Sequence, residues 1–82
     1  MSKVAIVFKI YPVAGRVDEV MSRIKDALKP AAMQADDVAF GIKVIKARFV
    51  FDDSEGTASS IEEQMKKIDG VSEVEVEEES LI

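Results

Sequence analysis

The chain has 82 residues, a formal net charge of −5 at pH 7, and neither cysteine nor histidine. Without cysteine there is no disulfide, thiolate nucleophile or cysteine-bound zinc, and without histidine there is no imidazole base or metal ligand. These absences exclude most covalent enzyme mechanisms, and the length allows only one hydrophobic core. We therefore expect a single domain over residues 1–82, with no catalytic residue, cofactor or metal of its own.

Hydropathy and charge indicate where the protein resides and how its last segment folds. No apolar run reaches the roughly 20 residues that cross a membrane, so we expect a cytoplasmic protein with no membrane contact.

Residues 1–51 carry nine Lys and Arg against five Asp and Glu, whereas residues 52–82 carry two against eleven. Valines alternate with the glutamates of the acidic segment, which predicts an ordered strand there rather than a disordered tail.

The first half of the chain predicts a strand and then a helix. Residues 3–11 alternate between apolar and polar positions, and Pro12 ends the strand because it has no N–H to donate. The next segment has helical apolar spacing up to Pro30, with these positions on one stripe: Val17, Val20, Met21, Ile24, Ala27 and Leu28. Residues 31–37 carry weak signals and are interpreted as a loop or a poor edge strand.

The second half predicts a strong strand, a helix and a final strand. Residues 42–51 place Ile45, Ala47, Phe49 and Phe51 on one face and Val44, Lys46, Arg48 and Val50 on the other. The next helix has Thr57, Ser59 and Ser60 as candidate N-caps and Gly70 as its left-handed end. The last strand is expected to place Val74 and Val76 inward and Glu73, Glu75 and Glu77 outward.

The order of elements favours an α+β fold of the ferredoxin-like βαββαβ type. It would contain a four-stranded antiparallel sheet with two helices on one face and a polar face opposite. The final strand would be an edge beside the first, where its glutamates oppose Lys3 and Lys9.

Two other functional interpretations come from charged residues. The adjacent acids at 36–37, 52–53 and 62–63 suit Mg²⁺ in principle, but acids in loops and first helical turns are usually solvated, so we expect no metal site. Lys9, Tyr11, Lys46 and Arg48 share the predicted polar face, where related RNA-binding sheets place basic and aromatic residues. The single aromatic and the acidic net charge favour a solvated face, so we expect no direct nucleic-acid contact.

The segment Phe40-Gly41-Ile42-Lys43 stands just before the strongest strand. An aromatic residue in a loop usually folds back over the core. The alternative is an exposed anchor for a pocket in a partner, with Lys43 adding a positive contact beside it.

These residues carry a resemblance to a known family. Phe40-Gly41-Ile42-Lys43, the strand that follows, the segments 52–57 and 62–64, and the ending of residues 70–76 resemble archaeal translation elongation factor 1-beta, the nucleotide-exchange subunit. The length agrees with the small archaeal form, which lacks additional amino-terminal domains. The resemblance implies the ferredoxin-like fold, with residues 31–37 as its second strand and Phe40 near the following hairpin turn.

The resemblance also implies a partner and a set of contact residues. Family members bind the GTPase elongation factor 1-alpha and speed GDP release, so the chain would be a regulator and not an enzyme. In eukaryotic relatives an aromatic matching Phe40 enters a pocket of the GTPase, and a penultimate lysine disturbs the Mg²⁺ site. Leu81 takes that position here, so either Lys43 supplies the charge or exchange rests on Phe40 as a wedge.

The predicted partner surface is therefore Phe40, Gly41, Ile42 and Lys43 together with an adjacent carboxyl-terminal edge that includes Leu81. The alternative function is a ferredoxin-like RNA-binding or ligand-sensing interaction module without exchange activity, since a fold alone does not determine function.

Overall fold

The computed structural model describes residues 3–39, 41–52 and 57–81. Its elements are β1 (Lys3–Pro12), α1 (Val17–Leu28), β2 (Ala32–Ala39), β3 (Ile42–Asp52), α2 (Thr57–Lys66) and β4 (Val71–Leu81). The strands form one antiparallel sheet in the order β2-β3-β1-β4. The predicted ferredoxin-like α+β fold is confirmed, and β4 is an edge strand beside β1 as expected.

One face of the sheet packs against the helices and forms the core. Phe8 and Phe49 meet edge to face there, with ring centroids 5.8 Å apart and planes at 74°, an arrangement that aromatic pairs prefer. Alternation along β1 and β3 brings their apolar side chains to this face. The largest fully buried side chains are Phe8, Ile6, Ile10, Ile24, Ile45, Met65 and Val20.

β2 is the segment that the sequence left undecided between loop and edge strand. It pairs with β3 along most of its length, from Ala32 opposite Arg48 to Ala39 opposite Ile42. Met33 is its only side chain packed against the core among those described. The hydrogen-bond ladder offered by β3, rather than any apolar alternation in β2 itself, accounts for this strand.

Gly70 has a different role from the one predicted. α2 ends at Lys66, and Gly70 lies at the end of the following turn with φ +99°. A Cβ atom at this position would lie 2.8 Å from Cγ2 of Val20, so glycine permits close packing of the turn on α1. The N–H of Val13 donates to the carbonyl oxygen of Gly70 at 2.7 Å, which anchors the loop between β1 and α1.

Several side chains are more exposed, or placed differently, than expected. Ala27 is exposed because it lies at the margin of the α1 stripe. Val76 faces the core side opposite Phe8, as predicted, but it is 48% exposed because it lies on an edge strand. Ser59 and Ser60 lie inside α2 rather than before it, so they do not cap its start. The face away from the helices is not wholly polar, since Val44 is buried on it.

Candidate functional site

The predicted contact residues Gly41, Ile42 and Lys43 belong to the turn and first residues of the β2–β3 hairpin. Ala39 pairs with Ile42, and Gly41 between them has φ +79°. A Cβ atom on Gly41 would meet nothing within 4 Å, so glycine is favoured here by backbone conformation and not by space. Phe40, the predicted anchor, lies outside the described residues.

A bulge in β2 adds a residue to this region that the sequence did not single out. The register with β3 shifts between Asp37 and Ala39, which leaves Val38 as the extra residue. Val38 is 60% exposed and Ile42 is 59% exposed. Bulges redirect side chains, and this one leaves two branched apolar side chains in solvent at the same end of the sheet. We call Val38, Gly41, Ile42 and Lys43 the hairpin end.

Three residues of the hairpin end, Gly41, Ile42 and Lys43, line part of a groove of about 650 Å³. The rest of its lining comes from the end of β1, the loop after it and the first turn of α1. The lining residues are Pro12, Ala14, Gly15, Val17, Asp18, Gly41, Ile42 and Lys43. The groove therefore joins the predicted contact residues to a loop for which the sequence analysis proposed no role.

Lys43 is an exposed positive charge at this groove. Asp37 is its cross-strand neighbour, yet no acid among the described residues lies within 4.0 Å of its ammonium group. A charge without an intramolecular partner gives up no existing ion pair when it meets a partner's acid. The charge of Lys43 is therefore available, and its role as a positive contact stays a prediction.

Leu81 does not join the hairpin end, so the predicted adjacency of the two is wrong. It pairs with Val4 at the start of β1, whereas Ile45 of β3 pairs with Ile10 near the other end of β1. At about 3.3 Å per residue, Leu81 lies about 30 Å from Ile42 along the sheet. Leu81 is 70% exposed, so it is available for a contact of its own.

Two of the three basic residues predicted as an RNA-binding set on the polar sheet face, Lys9 and Lys46, are paired with acids, and Arg48 is exposed and forms no ion pair with a described residue. Nζ of Lys46 lies 3.2 Å from a carboxylate oxygen of Glu77 and 3.7 Å from one of Asp36. Glu77 also lies 3.9 Å from Nζ of Lys9. The predicted opposition of the β4 glutamates to Lys9 is confirmed; Lys3 forms no ion pair with a described residue. We call the side of the sheet away from the helices the open face.

These pairs also change how the open face titrates. The hydrogen bond to Glu77 raises the pKa of Lys46. The raised pKa favours the protonated form of Lys46, which is ion-paired with that carboxylate. Desolvation, followed by the charge of Glu75, raises the pKa of Tyr11, whose hydroxyl donates to Glu75 at 3.4 Å. A phosphate backbone would have to displace these acids and would be repelled by them. The geometry weighs against the RNA-binding interpretation.

Val13 and Val38 are exposed residues near the site that sequence reasoning missed. Val13 is 45% exposed in the loop after β1. The signal available in advance was weak: Val13 follows a proline, and Val38 follows two acids in a segment with no period. The bulge that exposes Val38 depends on pairing with β3, which local sequence does not reveal.

Two further features of the described residues concern membranes and metal ions. Neither α1 nor α2 has the length and apolar content to cross a membrane. Over residues 3–39, 41–52 and 57–81, no three acids come together in a way that could hold a metal ion.

The fold and the exposed hairpin end define a small α+β sandwich domain whose surface suits a protein partner. The chain belongs to the family of the EF-1 guanine nucleotide exchange domain, which matches residues 5–82. It is similar to elongation factor 1-beta of Aeropyrum pernix, at 33% identity over 94% of this chain and 93% of that protein. Elongation factor 1-beta of Ignicoccus hospitalis is 36% identical over 94% and 89%, and that of Methanoculleus marisnigri is 31% identical over the whole of both.

Family membership supports a role in guanine-nucleotide exchange during translation elongation. It also favours a regulator of a GTPase over a catalyst with its own covalent chemistry. The resemblance seen in the sequence is confirmed.

Proposed function

We propose that this domain binds the GTPase elongation factor 1-alpha in the cytoplasm and promotes release of GDP, so that GTP can replace it. The observation that carries the proposal is the exposure of Ile42 beside Lys43 at the hairpin end, next in sequence to the predicted anchor Phe40. Exposed apolar side chains beside a charge are typical of a compact contact with a protein.

Exchange of this kind requires coupling between two binding events. A factor that binds best to a GTPase conformation with weakened nucleotide contacts must lower nucleotide affinity, and nucleotide must lower its own affinity in return. A coupling free energy of about 4 kcal/mol corresponds to a roughly thousandfold loss of GDP affinity. The domain needs no reactive group for this, only surfaces that select one conformation of the partner.

The residues of the hairpin end have separate roles in the proposal. Phe40 inserts into an apolar pocket, Ile42 extends that apolar contact, and Lys43 meets an acidic group of the GTPase. Gly41 fixes the turn through its positive φ. Leu81 makes a second contact about 30 Å away, so the two contacts engage different parts of the partner.

The test is the release of a fluorescent GDP analogue from the cognate GTPase, with and without this domain. We expect wild type to accelerate release, and Phe40→Ala and Lys43→Ala to lose about tenfold or more of the acceleration. Val50→Ala and Lys25→Ala are matched controls, because each removes an exposed residue of the same character away from the hairpin end.

The proposal fails if wild type does not accelerate release from an active GTPase. It also fails in its residue assignments if Phe40→Ala and Lys43→Ala match their controls. Circular dichroism spectra and thermal midpoints would show that each variant is folded.

A further inference from the structure

The second half of β4 contains an extra residue that decides which way its side chains face. Val76 pairs with Phe8 and Glu78 pairs with Val7, so Glu77 has no counterpart on β1 and forms a bulge. The carboxylate of Glu77 bonds to Lys46 on the open face. Because side chains alternate along a strand, one extra residue reverses the facing of every residue that follows it.

The reversal brings Leu81 to the same side of the sheet as the core. Leu81 pairs with Val4 and Glu79 pairs with Ile6, and both β1 residues belong to the buried core cluster. If Glu77 instead paired in regular register with Val7, Leu81 would lie opposite Lys3 and face the open side. Val76, opposite Phe8, already shares the core side of the sheet.

Val76, Glu79 and Leu81 therefore form one row on the helix side of the edge strand, which we call the β4 strip. It spans about 13 Å along the strand. Val76 is 48% exposed and Leu81 is 70% exposed, so the packing of the helices leaves both apolar side chains in solvent. Glu79 lies between them, and residues 73–79 hold five glutamates.

We propose that the β4 strip is a second docking surface for the GTPase, and that the bulge at Glu77 sets its facing. This inference rests on the proposed function and deepens it by defining the partner segment: an apolar side chain flanked by Lys or Arg. The apolar part of that segment packs on Val76 and Leu81, while its basic groups meet Glu79, the acid on the same side of this acidic strand. Charge complementarity of this kind favours a basic segment over a second copy of this acidic chain.

The first part of the test removes the apolar groups of the strip. In the GDP-release assay, Val76→Ser and Leu81→Ser should each reduce the acceleration by about fivefold or more. Val50→Ser is the matched control, because Val50 is an exposed apolar strand residue on the open face. Its acceleration should stay within about twofold of wild type.

The second part changes the facing of Leu81 without changing its identity. Insertion of one serine after Glu79 should turn Leu81 to the open face and lose the acceleration as Leu81→Ser does. Deletion of Glu77 removes the bulge and its ion pairs but keeps Leu81 opposite Val4, so it should retain the acceleration. Nuclear Overhauser contacts between Val4 and Leu81 should persist in the deletion variant and disappear in the insertion variant.

The outcomes separate this inference from the proposed function. If Phe40→Ala loses acceleration while the strip variants and the insertion match Val50→Ser, the strip is overturned and the exchange function stands. If wild type gives no acceleration, the exchange function fails and the strip is overturned as a contact for this partner. If Leu81→Ser instead converts a dimer of the chain to a monomer in sedimentation, the occupant is a second copy and the inference is wrong.

Discussion

The open face and the hairpin end both carry basic side chains, but they differ in what surrounds those charges. On the open face, Lys46 lies within ion-pairing distance of Glu77 and Asp36, and Lys9 shares Glu77. At the hairpin end, Lys43 has no such partner among the described residues and stands beside exposed Ile42. A lysine in a sequence therefore indicates little about binding until its neighbours in space are known.

The difference separates two roles of surface charge in this molecule. Ion pairs on the open face tie β1, β2, β3 and β4 together and leave little positive potential for a phosphate. The hairpin end combines exposed apolar side chains, which suit the core of a protein contact, with an unshared charge, which suits its polar rim. Variants in the two regions should therefore affect different measurements.

The first prediction concerns Ile42 at the hairpin end, where we expect the largest effect on stimulated GDP release. Ile42→Ser should reduce stimulated GDP release about tenfold, because a branched apolar side chain at the contact is replaced by a small polar one. Its thermal midpoint should stay near that of wild type, since Ile42 is 59% exposed. An Ile42→Ser domain with full exchange activity would remove the hairpin end from the proposed interface.

The fold was predictable to the extent that apolar periodicity is local. Residues 3–11 and 42–51 have a period of two and α1 has a helical stripe, and all three are where the sequence placed them. β2 has no such period, because its order comes from pairing with β3, so the residues left a loop and a poor edge strand as alternatives and only the family resemblance chose the strand. At Val76 the local pattern is misleading in the opposite way. Its apolar spacing predicts a buried side chain, but its place on an edge strand leaves it 48% exposed.

The site was less predictable than the fold. The sequence identified Gly41, Ile42 and Lys43 because they stand together, and the structure keeps them together in the lining of one groove. It placed Leu81 beside them, which the strand register does not support. Register also depends on bulges at Val38 and Glu77, and a single extra residue cannot be seen in a short strand pattern.

The next largest effect is expected from a variant that changes only the backbone conformation of the hairpin end. Gly41→Ala places a Cβ atom in open space but forces a non-glycine residue to adopt φ +79°. We expect a loss of about 1 kcal/mol in the free energy of unfolding, measured by urea titration. Gly15→Ala is a matched control, since Gly15 also has a positive φ and open space. It should cost a similar free energy of unfolding.

On the open face, Lys46→Met should leave stimulated GDP release unchanged and alter only stability. The pKa of Lys46 is raised by its hydrogen bond to Glu77. The stabilisation is therefore present below the ordinary value of 10.5 and is lost as pH rises through the raised value. The thermal midpoints of wild type and Lys46→Met should differ at neutral pH and converge above pH 10.5. Loss of exchange by Lys46→Met would place the open face in the GTPase interface.

The smallest effect concerns a paired charge cluster on the helix side of the molecule. Arg16 donates to Asp69 at 2.8 Å and to Glu19, joining α1 to the turn before β4. These hydrogen bonds lower the pKa of both carboxyl groups. Because a lowered pKa stabilises the fold only while the acid is ionised, the contribution exists above the ordinary values of 4.5 and 3.8.

That stabilisation is lost as pH falls through the lowered values, so wild type and Arg16→Ala should converge in acid. Part of the difference in thermal midpoint should not depend on pH, because the Arg16 guanidinium also packs against Gly70. Its central carbon lies 3.3 Å from the position that a Cβ atom on Gly70 would occupy. Thermal midpoints measured from neutral pH to below pH 3.8 would separate the two parts. Curves that stay parallel throughout would assign Arg16 to packing alone, and exchange activity should be the same in both proteins at neutral pH.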